Sequence, residues 1–338
     1  MRRTRVSSET EAALLGTCLS GTGGIWSVKT DAGERIEASL AGRLKKSGSG
    51  RRPDGSIRRD TMSAASQKLK LAVGDRVVLE RDEDNSSWRI NEVLPRRSKL
   101  ARRAPGGGHG ERVLAANVDQ VLIVFAAAKP EPHPRMLDRF LVIAEANELT
   151  ARIVINKVDL VGEREARARF DVYSRAGYEV HYTSVKQEIG IAELKGALAG
   201  NVSVLTGPSG VGKSSLVNGL FPGLNLRVGE ISESVNKGRH TTVGALAHPL
   251  PDDQGGGFVV DTPGLREIGM WALALRELDD CFPEFRPHRG ECRFQDCAHV
   301  SEPGCKIREA LQKGEIAAAR YDSYLKIRDE ISSEDPSW

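Results

Sequence analysis

The stretch Gly207-Pro208-Ser209-Gly210-Val211-Gly212-Lys213-Ser214 decides how this 338-residue chain is read. Before it lies the apolar, β-branched run Val202-Ser203-Val204-Leu205. After it comes Ser215-Leu216-Val217-Asn218-Gly219-Leu220, which can open a helix. The pattern is GxxxxGKS in a strand–loop–helix setting, as a phosphate-binding loop requires. Successive backbone N–H groups in a glycine-rich turn form a nest for anions, and the helix N-terminus adds the positive end of its dipole. Lys213 is expected to reach the β- and γ-phosphates, and the Ser214 hydroxyl to bind Mg²⁺.

Working outward, Asn156-Lys157-Val158-Asp159 closes the run Arg152-Ile153-Val154-Ile155 and reads NKxD. The Asp159 carboxylate offers two acceptors to the imino and amino donors of guanine. Adenine lacks that donor pair and would leave the carboxylate unpaired, which disfavours an ATPase. The stem of Lys157 can lie along the base plane. Tyr182-Thr183-Ser184-Val185 follows a strand and is a weaker candidate for contact with the base.

On the other side, Asp261-Thr262-Pro263-Gly264 reads DxxG after the strand Phe258-Val259-Val260. Asp261 is expected to hold Mg²⁺ through water, and the Gly264 N–H to sense the γ-phosphate. Gly238-Arg239-His240-Thr241-Thr242 lies between the two motifs. Thr242 is the expected second Mg²⁺ ligand, with Thr241 as the alternative. Position 265, where many GTPases place a water-orienting glutamine, is Leu265. His240 is the local candidate for that role. Slow intrinsic hydrolysis is therefore expected.

The order of these motifs is permuted. A conventional GTPase runs phosphate loop, switch threonine, DxxG, NKxD, whereas here NKxD comes first. One sheet can close in either order because domain termini lie near one another. Alternating strands and helices around the motifs predict a doubly wound α/β sheet, with ligands at the carboxyl ends of its strands.

Charged residues make up 28% of the chain and hydrophobic ones 39%, as in soluble globular proteins. No apolar run approaches a membrane span, and no signal-peptide h-region follows the basic N-terminus. Net charge is only +3, but the basic residues cluster, which suggests a polyanionic partner. Residues 1–11 read as a basic arm, and 12–97 as a small all-β barrel, OB-like or SH3-like. Residues 98–112 read as a basic, Gly-rich linker, 113–272 as the α/β domain and 273–338 as a small helical domain. Within the barrel region, the basic, Gly/Ser-rich stretch Arg43–Arg59 reads as a projecting loop for phosphate contacts. Arg96–Arg103 is a second basic stretch.

Cys292-x4-Cys297-x-His299-x5-Cys305 offers three sulfurs and one imidazole. A closed Cys₃His set is the ligand pattern of a structural Zn²⁺. Pro303 and Gly304 permit the turn that returns Cys305. Cys18 and Cys281 read as small apolar packing residues. Arg320, Lys326 and Arg328 lie on the helices that follow.

NKVD before GPSGVGKS before DTPG, followed by C-x4-C-x-H-x5-C, resembles the bacterial ribosome-small-subunit-dependent GTPase A family over nearly the whole chain. The resemblance implies an N-terminal OB-fold, a circularly permuted GTPase and a C-terminal zinc domain. It implies a cytoplasmic, monomeric factor that binds GTP and GDP, contacts the small ribosomal subunit through its rRNA, acts late in its assembly and is activated by it. The 43–60 insertion looks longer than the family's usual barrel loop. Potassium-activated GTPases often carry asparagine at the position of Gly210, so its absence does not support potassium dependence. A rival reading is a non-enzymatic RNA-binding assembly factor that holds GTP as a structural ligand. Leu265 favours it, and the complete phosphate and Mg²⁺ set opposes it.

Overall fold

The computed structural model describes residues 14–41, 71–82, 87–103, 111–224, 245–262 and 273–334. The chain divides into two compact units, 1–96 and 97–338.

In the first unit, β1 (Leu14–Thr22), β2 (Ile25–Thr30), β3 (Arg35–Leu40), β4 (Arg76–Arg81) and β5 (Trp88–Val93) close a barrel in the order β1-β2-β3-β5-β4. β3 and β5 are parallel, and every other neighbouring pair is antiparallel. This is the connectivity of an OB-fold, which decides between the two barrel types. Cys18, Val28, Ala38, Val77, Leu79 and Ile90 fill the interior. β1 is the strand that periodicity missed, because Leu14–Thr22 contains two glycines and no clean alternation. Packing explains Gly21: a Cβ there would lie 2.6 Å from the Trp26 ring on the paired strand. The turn Val73-Gly74-Asp75 enters β4. Asp75 is fully buried, and Arg96 forks onto it at 2.6 and 2.8 Å. The basic loop expected at Arg43–Arg59 lies outside the described residues.

The second unit opens with β6 (Lys99–Arg103) and β7 (Glu111–Ala116), paired antiparallel. The stretch read as a linker thus contributes paired strands. At the start of the basic stretch Arg96–Arg103, Arg96 pairs with Asp75 and Arg97 with Asp119. There follow β8 (Gln120–Ala126), α1 (Pro134–Ala146), β9 (Thr150–Asn156), α2 (Glu163–Arg175) and β10 (Glu179–Tyr182). Next come α3 (Ile191–Leu198), β11 (Val202–Thr206), α4 (Lys213–Leu220), β12 (Leu246–Pro249) and β13 (Phe258–Asp261). The sheet order is β10-β9-β8-β11-β13-β12. All neighbours are parallel except β12, which is antiparallel to β13. β8 is buried at all seven positions, as a central parallel strand should be. Leu122, Val124 and Val154 on the sheet meet Leu216, Val217, Leu220 and Phe221 of α4 and its C-terminal end in the main core. β12 escaped the sequence reading because it is short and contains Pro249, which an edge strand tolerates. Started at β11, the same sheet would run β11, β12, β13, β8, β9, β10 and restore the conventional motif order. The permutation is therefore a property of connectivity, and the sheet itself is unchanged.

Beyond β13, short 3₁₀ turns between Leu275 and His288 lead to the cysteine loop and to α5 (Lys306–Lys313) and α6 (Ala318–Glu334). No described helix is long and apolar enough to cross a membrane.

Candidate functional site

The sequence-derived residues converge at the carboxyl edge of the sheet. The phosphate loop, Gly207–Gly212, joins β11 to α4. Gly207 has φ +133°, and a Cβ there would lie 2.0 Å from the carbonyl oxygen of Val124 on β8. The loop can thus turn this tightly against the neighbouring strand only with glycine. Ser209 and Gly210 are exposed at its lip, Pro208 is half-buried and Val211 is buried. Lys213 opens α4, and its Nζ donates to the carbonyls of Gly207 and Pro208 at 2.9 and 2.7 Å. Ser214 is buried in the same helical turn, and Ser215 is half-buried.

The NKxD segment is fastened to this loop. Asn156 Nδ2 donates to the carbonyl of Val211 at 3.0 Å, and the Thr183 hydroxyl donates to Asn156 Oδ1 at 3.2 Å. Lys157, at φ +60°, donates from Nζ to the carbonyls of Gly210 at 2.6 Å and Lys129 at 2.7 Å. Val158 is buried and its N–H bonds the Thr183 carbonyl at 3.2 Å. The Ser184 hydroxyl donates to Asp159 Oδ1 at 2.6 Å. Two strand-end segments, after β9 and β10, therefore orient one carboxylate. Thr183 and Ser184 carry only a weak signal in the sequence, and the Lys129 carbonyl carries none, because that contact depends on how the β8 loop folds. Asp261 ends β13 opposite Leu205 of β11, next to the strand that feeds the phosphate loop. His240, Thr241, Thr242, Gly264 and Leu265 lie outside the described residues.

Chemically, this edge offers anion-binding backbone at a helix N-terminus, a lysine, hydroxyls in the first turn and a carboxylate preset by two neighbouring segments. Those are the elements needed to hold a guanine nucleotide with Mg²⁺.

A second site lies in the C-terminal loop. The ligand atoms of Cys292, Cys297, His299 and Cys305 all lie within 4.8 Å of one another. His299 Nδ1 is 3.6 Å from Cys292 Sγ and 3.4 Å from Cys305 Sγ. Tetrahedral zinc, with Zn–S of about 2.3 Å and Zn–N of about 2.0–2.1 Å, sets an N···S edge near ~3.5 Å. The donor set therefore fits zinc. His299 Nε2 faces Asp279 Oδ2 at 3.7 Å, the kind of carboxylate partner that orients ligating histidines. Glu302 accepts the N–H groups of Ala298, Val300 and Ser301 at 2.9–3.0 Å and shapes the loop. Neither Asp279 nor Glu302 was singled out from sequence, since a lone acid has no spacing signature. Cys18 and Cys281 are buried as expected, and desolvation raises both thiols, Cys281 to about 12.

Arg320, one of the basic residues on α6, is only 2% exposed and pairs with Asp138 and Glu284. Helical spacing alone could not separate the inward from the outward basic residues of α6.

A phosphate loop locked to NKxD on a sheet entered at NKxD defines the class: a circularly permuted P-loop GTPase. The RsgA GTPase family model matches residues 93–271. The small ribosomal subunit biogenesis GTPase RsgA of Gemmatimonas aurantiaca is 54% identical over 317 residues, covering 94% of this chain and 97% of that protein. The same-named protein of Hahella chejuensis is 43% identical over 268 residues, covering 78% and 75%. Among solved structures, YjeQ from Thermotoga maritima is similar with a TM-score of 0.75 at 35% identity, covering 96% of this chain and all of that one. YloQ, described as a circularly permuted GTPase, has a TM-score of 0.70 at 26% identity, covering 99% and 100%. The chain belongs to the RsgA GTPase family.

Proposed function

We propose that this chain hydrolyses GTP as a biogenesis factor of the small ribosomal subunit, with its turnover stimulated by that subunit. Similarity to relatives named for that role supports the reading. The observation that carries the nucleotide side is the lock between Asn156 and Val211, which makes base reader and phosphate cradle one body. In this reading Asp159 takes the guanine edge, with Asn156, Lys157 and Val158 shaping its pocket. Gly207 to Gly212 and Lys213 hold the phosphates, and Ser215 supports the loop from α4. Ser214, Thr242 and, through water, Asp261 hold Mg²⁺, while Gly264 senses the γ-phosphate and His240 helps position the water. Cys292, Cys297, His299 and Cys305 hold one zinc, which adds folding energy to the C-terminal module. The barrel at 12–97 and the C-terminal module at 273–338 flank the GTPase domain at 113–272 and contact rRNA, in a cytoplasmic monomer.

The deciding measurement is GTP turnover with and without purified small subunits. Slow turnover alone and much faster turnover with subunits supports the reading. GTP bound without turnover in either condition would favour the alternative, an RNA-binding factor that keeps GTP as a structural ligand.

A further inference from the structure

α6 plugs the C-terminal module into the GTPase lobe through one buried cation. Arg320 Nη1 donates to Asp138 Oδ1 on α1 at 2.5 Å, and Nε donates to Glu284 Oε1 at 2.6 Å. One turn on, the Ser323 hydroxyl bonds the other Asp138 oxygen. The guanidinium lies 4.7 Å from the Phe282 ring, 5.6 Å from Tyr173 and 5.7 Å from Tyr178. Asp138, Tyr173 and Tyr178 belong to the GTPase lobe, while Glu284 and Phe282 belong to the C-terminal module. The socket therefore exists only when the two are docked. Two outer ion pairs flank it: Glu145 on α1 with Arg286 at 2.5 Å, and Arg139 on α1 with Glu330 on α6 at 3.4 Å.

The same two helices reach both functional sites. On α6, the hydroxyls of Tyr321 and Tyr324 donate to the carbonyls of His299 at 2.6 Å and Ala298 at 3.0 Å, so the helix that bears the plug also holds the cysteine loop. α1 begins just after the β8 loop, whose Lys129 carbonyl takes the Lys157 ammonium that also bonds Gly210. A short path of packed elements thus runs from the phosphate loop to the cysteine loop. The outer face of that loop presents exposed Arg293, Phe294 and Val300.

We infer that Arg320 is a positioning residue. It fixes the outer face of the cysteine loop relative to the nucleotide site, so that one large partner meets both surfaces already aligned. The inference rests on the small-subunit reading above. Two surfaces on a rigid frame bind one partner with a high effective concentration, and loosening the frame forfeits that gain while leaving each surface intact.

The test compares wild type, Arg320→Lys, Glu145→Arg, Arg286→Glu and the Glu145→Arg/Arg286→Glu double variant. Nucleotide affinity and zinc content check the fold, and trypsin susceptibility of the C-terminal module reports loosening. The decisive readout is the small-subunit concentration that half-saturates GTP turnover, set against the maximal rate. The expected result is a looser module in each single variant, with half-saturation raised roughly tenfold, a modest part of what avidity can supply. The maximal rate should stay near wild type, because saturating subunits restore the docked arrangement. The double reversal should recover most of the loss. If Arg320→Lys fails to fold, the Glu145–Arg286 series still decides. A loosened module with unchanged half-saturation overturns the proposal, as does a fall in maximal rate alone or no loosening in any variant. A wild type that subunits do not stimulate fails earlier, overturning the functional reading and this proposal with it.

Discussion

Asn156, at the end of β9, donates to the carbonyl of Val211 in the phosphate loop at 3.0 Å, with Thr183 fixing the other end of its amide. The bond joins two motifs 55 residues apart in sequence. Asn156→Ala would leave the Val211 carbonyl and the Thr183 hydroxyl unpaired in a buried setting, at about 1–3 kcal/mol for such a group. The variant should unfold at a lower temperature and bind GDP and GTP about 10- to 100-fold more weakly. Unchanged affinity for both nucleotides would show that the two motifs do not act as one body.

Base choice should rest on Asp159, whose Oδ1 is held by the Ser184 hydroxyl at 2.6 Å. GTP and GDP should displace a fluorescent GDP analogue far better than ATP or ADP. Asp159→Asn should weaken guanine binding and favour xanthine, which carries a carbonyl where guanine has its amino group. Ser184→Ala should cause a smaller loss in the same direction, since it removes one hydrogen bond to a charged group, worth about 1.5–3 kcal/mol. Equal competition by ATP contradicts the assignment.

Gly207 has no room for a side chain, with a Cβ 2.0 Å from the Val124 carbonyl at φ +133°. Strain of this kind costs about 1–3 kcal/mol even before the clash is counted. Gly207→Ala should lower the melting temperature by several degrees, at about 2–4 °C per kcal/mol for a domain of 150–250 residues, and should abolish measurable nucleotide binding. Wild-type binding by this variant, in a fluorescence titration, would mean that the loop does not form the phosphate cradle.

These three sites differ in how far sequence alone could reach them. The phosphate loop and NKxD were legible because their chemistry fixes both residue type and spacing, and the parallel strands were legible because a strand buried on both faces is apolar throughout. The ties between motifs were not, since Asn156–Val211 and Ser184–Asp159 depend on strand order, which no local pattern encodes. Polar burial hid Arg320 in the same way: on a helix, an inward arginine reads like any other base until its carboxylates arrive from α1 and from the 3₁₀ turn near Glu284. β1 was lost for the opposite reason. Gly16 and Gly21 sit where neighbouring side chains press on the strand, and that packing erases the alternation used to find strands.

Activation should be electrostatic in origin and chemical in effect. Leu265 cannot orient water, and a contact supplied in trans can be worth about 10³–10⁵ in rate in other GTPases. Small subunits should therefore raise turnover strongly, and the rise should fall steeply with salt as phosphate contacts release counterions. His240→Ala should lower the stimulated rate much more than it lowers GTP affinity. A normal stimulated rate in that variant would remove His240 from the mechanism while leaving subunit activation intact.

The zinc prediction separates a structural metal from a passive cluster of thiols. The four ligand atoms lie within 4.8 Å of one another, and His299 Nδ1 is 3.4–3.6 Å from two of the sulfurs, close to the N···S edge of a zinc tetrahedron. Purified protein should hold one zinc per chain by elemental analysis, and Cys297→Ser should hold much less. A ligand bound only by the folded state adds stability of RT ln(1 + [L]/Kd), so stripping the metal should lower the melting temperature, and returning zinc should restore it in wild type but not in the variant. The loss should be centred on the C-terminal module, because Tyr321 and Tyr324 hang from the carbonyls of His299 and Ala298 and lose their anchor when the loop opens. GDP binding should largely survive, since the hydrogen bonds described at the nucleotide edge join the segments following β8, β9, β10 and β11 and involve no residue of the cysteine loop. If chelation instead abolishes GDP binding while far-ultraviolet circular dichroism stays unchanged, the metal acts on the nucleotide site itself and the purely structural assignment fails.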